Sequence, residues 1–126
     1  MKPLVYRKAK RVRNRPVVRQ VLRITKGDTV QVIRGDDKGK RGKVLQVHPK
    51  TGRITVEGVN IITRHTRATQ NREGGLVRRE APIHASKTML LDPKSDQPTR
   101  VRRVKDADGT IERISVKSGV SMPRSR

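Results

Sequence analysis

The sequence contains no cysteine, tryptophan or phenylalanine, and its single aromatic residue is Tyr6. Without cysteine the chain can form neither a disulfide nor a metal site built from thiolates. Without aromatic rings it has almost no surface on which to stack bases, as most single-strand binders and RNA-recognition modules do. A nucleic-acid partner would therefore be held by its phosphates and sugars, and the shape of a folded, largely double-stranded target would supply the selectivity.

Acidic residues are also scarce, because 11 Asp and Glu stand against 32 Lys and Arg and leave a formal net charge of +21. Self-repulsion at this charge opposes compaction, so a free soluble enzyme rarely carries it, and a polyanionic partner is the usual reason for it. Hydrophobic residues make up only 31% of the 126 positions. The core must be thin and built from valine, isoleucine and leucine, so we expect marginal stability without the partner.

Long apolar runs and catalytic patterns are missing as well. No run is long enough for a membrane span or a signal-peptide core, so we expect a cytoplasmic protein with no membrane contact. His48, His65 and His84 are widely spaced, and no Ser-His-acid set or catalytic carboxylate pair is present. The loop 35–43 lacks the Ser or Thr that a phosphate-binding P-loop requires after its lysine. We therefore predict no catalytic residue, no cofactor and no enzyme activity.

The clearest pattern in the chain lies between Lys26 and Gly58, where apolar and polar residues alternate three times. Period-two alternation is typical of strands with one buried side. It predicts strands over Thr29–Arg34, Lys43–His48 and Arg53–Glu57. The turn between the last two contains a proline early and a glycine late, which fits a short hairpin loop with the glycine left-handed.

The loop between the first two strands, 35–43, is rich in glycine and mostly basic. Glycine permits close backbone approach to another surface, and the basic side chains can neutralise a polyanion there. The alternative is a flexible turn whose lysines merely face water. We interpret Asp36 and Asp37 as turn formers that accept hydrogen bonds from nearby backbone N–H groups.

The rest of the chain is a basic arm followed by further short strands. Residues 1–23 contain no acid, so the arm resists folding alone, and it is either a solvated tail or a segment that orders in RNA grooves. Pro16 favours the start of a short helix through Leu22. After the third strand, alternation predicts strands over Ile61–Arg67, Leu76–Glu80, Ala81–His84, Ala85–Leu91, Arg100–Val104 and Thr110–Val116.

Lys26–Gly58 resembles the KOW motif, a β unit of SH3-like barrel fold found in ribosomal proteins and in the NusG/Spt5 transcription factors. The blocks that follow resemble those of bacterial large-subunit ribosomal protein twenty-four, in that family's order and spacing, over about Ile24 to Gly119. They are Val56–Asn60, Gly74–Gly75, Glu80–His84, Met89–Pro93 and Pro98–Val101. The likeness implies a mainly β fold, with the basic arm over 1–23, an SH3-like (KOW) barrel over 24–67, a smaller β-rich C-terminal extension packed on it over 68–119, and a flexible tail over 120–126.

The same resemblance implies a structural protein of the large ribosomal subunit that binds the 5′ domain of the large-subunit rRNA, helps to start subunit assembly and lies near the peptide tunnel exit. The resemblance also implies neighbouring ribosomal proteins as partners and a hairpin tip that can contact the nascent chain. It implies no homo-oligomer. We predict rRNA contacts at Lys26, Arg34, Lys38, Gly39, Lys40, Arg41, Gly42, Lys43, Asn60, Arg64, His65 and Arg67. The predicted hairpin tip at the tunnel exit is Pro49, Lys50, Thr51, Gly52 and Arg53.

The sequence departs from the family in its longer arm and in its C-terminal part. Some relatives carry two Cys-x-x-Cys pairs there, where this chain has Asp92 and Ser95, then Ser115 and Ser118. These residues cannot form a sulfur-ligated zinc site, so we predict no metal and expect hydrogen bonds to hold the two turns. The competing hypothesis is a KOW-type transcription factor that binds RNA polymerase, although only the arm precedes the KOW unit here.

Overall fold

The computed structural model describes residues 16–124, which form short antiparallel strands and one 3-10 turn over Ala85–Lys87. Most of the predicted arm, 1–15, lies outside the described residues, as does the end of the predicted tail, 125–126. The strands are β1 (Thr29–Val32), β2 (Arg41–His48), β3 (Arg53–Val56), β4 (Ile61–Thr66), β5 (Gly75–Glu80), β6 (Ile83–His84), β7 (Thr88–Leu91), β8 (Pro98–Thr99), β9 (Val101–Lys105) and β10 (Ile111–Ser115). In the described part of the chain no helix is long and apolar enough to cross a membrane.

Six of the strands form one sheet in the order β6-β3-β2-β1-β7-β8, and all neighbours are antiparallel. Backbone hydrogen bonds do not close this sheet into a barrel, but its mainly β architecture agrees with the predicted SH3-like fold. Strands from both sides of the predicted boundary at residues 67 and 68 share the sheet, because β7 pairs with β1 and β6 pairs with β3. The remaining strands form two hairpins, β4–β5 and β9–β10.

The core follows the alternation that the sequence predicts. Val30 and Val32 of β1 and Ile54 and Val56 of β3 are all buried. In β2 the pairing with β3 shifts between Val44 and Gln46. This bulge turns Leu45 outward, because two residues of one strand then face one of the other. Two predicted strand starts differ from the structure. The last positions of the basic loop, 41–43, belong to β2, and residues 85–87, predicted as the start of a strand, form the 3-10 turn, so β7 begins at Thr88.

The segment 16–24 contains no helix, so the predicted helix starting at Pro16 is wrong. The Gln20 N–H donates to the Pro49 carbonyl at 2.9 Å, outside its own segment, where a helix would need a bond within the segment. Leu22 and Ile24 pack against the core. Docking of these two side chains on the sheet stabilises the segment more than a short isolated helix could.

A buried ion pair joins the start of β1 to the last hairpin. Arg113 donates to both Asp28 carboxylate oxygens, at 2.6 and 2.9 Å, and both side chains are almost completely buried. The same guanidinium donates to the backbone oxygens of Arg23 and Pro123, at 3.0 and 3.1 Å. Thr25 adds two hydrogen bonds to the Asp28 carboxylate. One charged pair thus ties together three separate parts of the chain, namely residues 23–28, β10 and the segment at Pro123.

A second buried carboxylate, Asp92, holds the two C-terminal turns together. It accepts hydrogen bonds from the hydroxyls of Ser95 at 3.0 Å and Ser118 at 2.8 Å, and from the Lys94 N–H at 3.0 Å. Burial alone would raise the pKa of Asp92, but the hydrogen bonds from Lys94, Ser118, Ser95 and Ser115 outweigh it and leave the pKa below its ordinary value of 3.8. The hydrogen bonds that we predicted at the positions of the relatives' cysteines are therefore present.

Candidate nucleic-acid interface

The basic loop between β1 and β2 satisfies much of its own backbone. The Lys38 N–H donates to the Gly35 carbonyl, the Lys40 N–H to Asp37, and the Gly39 N–H to Val32. Gly35 and Gly39 have φ values of +102° and +90°, which glycine adopts without strain. The space where a Cβ of Gly39 would lie is open, so this backbone can approach another surface, although its N–H group is already used.

Two of the predicted RNA-contacting cations in this region are paired with acids. Lys40 donates to Asp37 at 2.7 Å, and Arg41 donates to Asp96 at 2.6 Å, both at the exposed surface. The hydrogen bond from the Lys40 side chain, followed by that from the Asn60 N–H, lowers the pKa of Asp37 below its ordinary value. Exposed pairs of this kind are weak, so a phosphate can replace the carboxylate at small cost.

Asn60 has a structural role that the sequence did not indicate. Its backbone is left-handed, with a φ of 54°, and its N–H donates to Asp37 at 2.8 Å. Its side-chain amide donates to the Ala81 and Pro82 carbonyls, both at 3.4 Å. Asn60 thus fixes the basic loop to the base of the β4–β5 hairpin, and Asp37 bonds a backbone N–H as we expected, but one far away in sequence.

Gly42 lies in β2, opposite Val30, and not in the loop. A Cβ at this position would collide with the Glu57 carbonyl oxygen and would lie 2.8 Å from Cγ1 of Val56. The close approach of β2 and the turn after β3 requires a glycine here. Packing within the protein therefore explains Gly42 without any contact to RNA.

The structure gathers basic residues from three regions around one cleft of about 270 Å³. Arg34 lies just before the basic loop, and Arg53 belongs to the predicted hairpin tip. His84 and Lys87, which we did not single out as contact residues, come from β6 and the 3-10 turn. Asp36 and Asp37 also line this cleft, so its charge is mixed. No local sequence pattern links these positions, because β-sheet pairing brings them together.

The β2–β3 hairpin has the predicted turn, since the Gly52 N–H donates to the His48 carbonyl and Gly52 has a φ of +68°. Pro49, Lys50, Thr51 and Arg53 are exposed. Gly52 is buried, because the Gln20 side chain packs directly on it and its carbonyl accepts from the Ala85 N–H. One side of the tip is therefore covered by the segment 16–24, and the other side remains open to a partner.

The remaining predicted contact residues lie on exposed surfaces. Lys26 precedes β1, Lys38 lies in the basic loop and Lys43 lies in β2, opposite Thr29. Arg64 and His65 lie in β4, and Arg67 follows that strand. Within residues 16–124, no group of three or more His, Asp or Glu side chains is arranged to hold a metal ion.

Comparison with known protein families gives two matches along the chain. Residues 26–57 match the KOW motif. Residues 59–122 match the family described as "Large ribosomal subunit protein uL24, C-terminal domain". The two matches follow one another and together cover most of the described residues.

Individual relatives agree with these matches. Large ribosomal subunit protein uL24 of Sphingopyxis alaskensis is 56% identical over 98 residues, which are 77% of this chain and 92% of the relative. The uL24 protein of Clostridioides difficile is 52% identical over 100 residues, covering 78% and 97% of the two chains. The uL24 protein of Frankia alni is 47% identical over 105 residues, covering 80% and 96%.

Proposed function

The chain belongs to the uL24 family of large ribosomal subunit proteins, and from this membership and its charged surfaces we propose that it binds the 5′ domain of the large-subunit rRNA. Its role in the large subunit is structural, not enzymatic. Membership of this ribosomal family also confirms the expected cytoplasmic location within the ribosome. Neighbouring ribosomal proteins surround it there. The alternative, a transcription factor that binds RNA polymerase, is not favoured, because the relatives described above are named as ribosomal proteins.

The observation that carries the rRNA proposal is the distribution of acidic and basic side chains between the interior and the surface of the protein. Asp28 and Asp92 are buried in internal hydrogen bonds, and Asp37 and Asp96 are used in ion pairs or turns. The excess of lysine and arginine is left at the surface, around the basic loop, the cleft and the β4–β5 hairpin. Surfaces of this kind bind phosphates through counterion release, so their affinity for RNA depends strongly on salt.

We further propose a role in starting assembly and a position near the tunnel exit. A protein that bridges parts of the 5′ domain would stabilise its fold before later domains are added. The exposed side of the hairpin tip, with Lys50 and Arg53, would face the tunnel mouth and the emerging chain. Cross-linking from Lys50 in ribosomes with a stalled nascent chain tests this position, and the absence of any cross-link to nascent chain or exit-region rRNA would contradict it.

Chemical footprinting of the full large-subunit rRNA, with and without the protein at moderate salt, tests the central proposal. We expect protection confined to one compact region of the 5′ domain. Weak protection spread evenly along the RNA would mean that the protein binds RNA through its charge but without specificity, and the proposal would fail. Omission of the protein from subunit reconstitution should then slow the formation of the earliest assembly intermediates, and unchanged kinetics would contradict the assembly role.

A further inference from the structure

The β4–β5 hairpin with its connecting loop, residues 61–80, is hereafter called the ribbon. Its strands pair over six positions, from Ile61 opposite Glu80 to Thr66 opposite Gly75. Six paired residues span about 20 Å. In the described part of the chain, no other strand packs extensively against β4 or β5. Every ribbon residue from 63 to 79 is exposed, so the ribbon projects from the body and is attached to it at one end.

The ribbon is hydrogen-bonded to the body at its base, whereas its outer part is exposed. At the base, the Ala81 N–H donates to the Asn60 carbonyl at 2.9 Å, and the Glu80 carboxylate accepts from the Gly58 N–H at 3.4 Å. A two-stranded hairpin without a packed face is marginally stable in water. A partner that covers the ribbon would therefore stabilise it.

The ribbon carries a larger uncompensated charge than the basic loop. Five arginines and two glutamates lie within residues 61–80. None of the three ion pairs found within residues 16–124 involves these arginines. A phosphate that binds here would displace no carboxylate, whereas at Lys40 and Arg41 it must compete with Asp37 and Asp96.

The strand register distributes the cations over both faces of the ribbon. Directly opposed residues share a face, so Arg64 and Arg79 lie on one face, because they oppose Val77 and Ile62. Arg78 lies on the other face, beside His65, because these two oppose Thr63 and Leu76. Adjacent arginines at 78 and 79 point to opposite sides, since strand side chains alternate.

The apolar residues of the ribbon are divided in the same way. Ile62 and Val77 share the face of Arg64 and Arg79, and Ile61 and Leu76 share the opposite face. Neither face offers an apolar patch without a cation, so a protein partner would have to desolvate arginine on either side. RNA suits this surface better, because arginine binds phosphate with two hydrogen bonds.

Resting on the proposed rRNA binding, we propose that the ribbon inserts between two RNA backbone segments and contacts phosphates on both sides. Arg64 and Arg79 contact one segment, and Arg78 contacts the other. A hairpin lying on a single RNA surface would use only one of these sets. The ribbon would then join two RNA segments, in addition to the contacts of the basic loop.

The test measures binding of the full protein to full-length large-subunit rRNA over a range of salt concentrations. The first variant is Arg64→Gln with Arg79→Gln, the second is Arg78→Gln, and the control is Arg102→Gln with Arg103→Gln. The control removes two adjacent exposed arginines from β9, in the other two-stranded hairpin. Each lost phosphate contact should lower the slope of log K against log salt by about 0.7 to 0.9, or affinity about five- to eightfold at 0.1 M salt.

We expect both ribbon variants to lower the salt slope, by about 1.4 to 1.8 for the double variant. Hydroxyl-radical footprints should lose protection at one RNA segment in the first variant and at a separate segment in the second. The control should leave both segments protected. Urea unfolding followed by circular dichroism should be unchanged in the ribbon variants, because the substituted side chains are exposed and outside the core.

Two kinds of failure are distinguishable. If only one ribbon variant alters binding, or both lose the same RNA segment, the ribbon lies on one surface and the inference is wrong. The inference also fails if the control lowers affinity and protection as much as the ribbon variants do. If the unmodified protein gives no localised footprint at all, the proposed rRNA binding itself fails.

Discussion

Removing the charge of Asp28 should cost a large part of the protein's stability, although Asp28→Asn only replaces one carboxylate oxygen with an NH2 group. In Asp28→Asn the side chain of Arg113 stays buried, with 1% of its surface exposed, but loses its counter-charge. Breaking one partner of a buried pair in this way costs about 3 to 5 kcal/mol. Domains of this size have a total free energy of unfolding of about 5 to 15 kcal/mol. The loss is therefore a large part of the whole.

The structure supplies a matched control for this substitution. Asp96→Asn breaks an ion pair with Arg41 whose N···O distance is also 2.6 Å, but the two side chains are 44% and 76% exposed. Exposed pairs contribute about 0 to 1 kcal/mol, so this variant should unfold almost like the wild type. The comparison sets a buried pair with two hydrogen bonds between guanidinium and carboxylate against an exposed pair with one.

The assay is urea unfolding followed by far-UV circular dichroism, since the chain has no tryptophan to report by fluorescence. The double variant Asp28→Leu with Arg113→Met should recover most of the stability, because a hydrophobic pair of similar volume avoids the desolvation penalty. A loss below about 1 kcal/mol for Asp28→Asn, or a double variant no more stable than the single one, would refute this account of the pair.

Three further predictions follow from single features of the structure. Gly42→Ala should lower the free energy of unfolding by about 1 to 3 kcal/mol, because its Cβ meets the Glu57 carbonyl. In the same unfolding assay Gly75→Ala, where the space is open, should change this free energy by no more than about 0.5 kcal/mol, and equal effects would contradict the prediction. The lowered pKa values of Asp37 and Asp92 give stability that is full above pH 3.8 and is lost as the pH falls through the lowered values, so the acid unfolding curve of Asp92→Asn should be shallower than that of the wild type. If about ten phosphates are contacted, log K for rRNA should fall with log salt at a slope of about −7 to −9, and a slope near zero would refute the electrostatic account.

The strands near the KOW region could be predicted because their signal is local. Alternation alone identified the buried faces of β1 and β3, since every second residue of a strand points to the core. The helix at Pro16 was wrong because Leu22 and Ile24 dock on a sheet that the local sequence does not reveal. The bulge at Leu45 also depends on pairing with a second strand.

The candidate site was harder to predict than the fold. Composition identifies an excess of arginine but cannot show which arginine is held in an ion pair within the protein. Among residues 16–124 the buried arginine is Arg113, and its immediate neighbours in sequence give no sign of this, because its partner Asp28 lies 85 positions away. Similarly, the pairing of Arg41 with Asp96 joins distant segments. Only the folded register separates the cations that face a partner from those that hold the protein together.

The position of β1 in the sheet sets an order of events during synthesis. One edge of β1 pairs with β2, but the other waits for β7, because Val30 faces Leu90, sixty residues further along the chain. At about 5 to 20 residues per second, ribosomes need about 3 to 12 seconds to make that stretch. The basic loop and the ribbon are both made before β7, while one side of the central strand is still open. The protein's electrostatic surface is therefore available to RNA before its fold is complete.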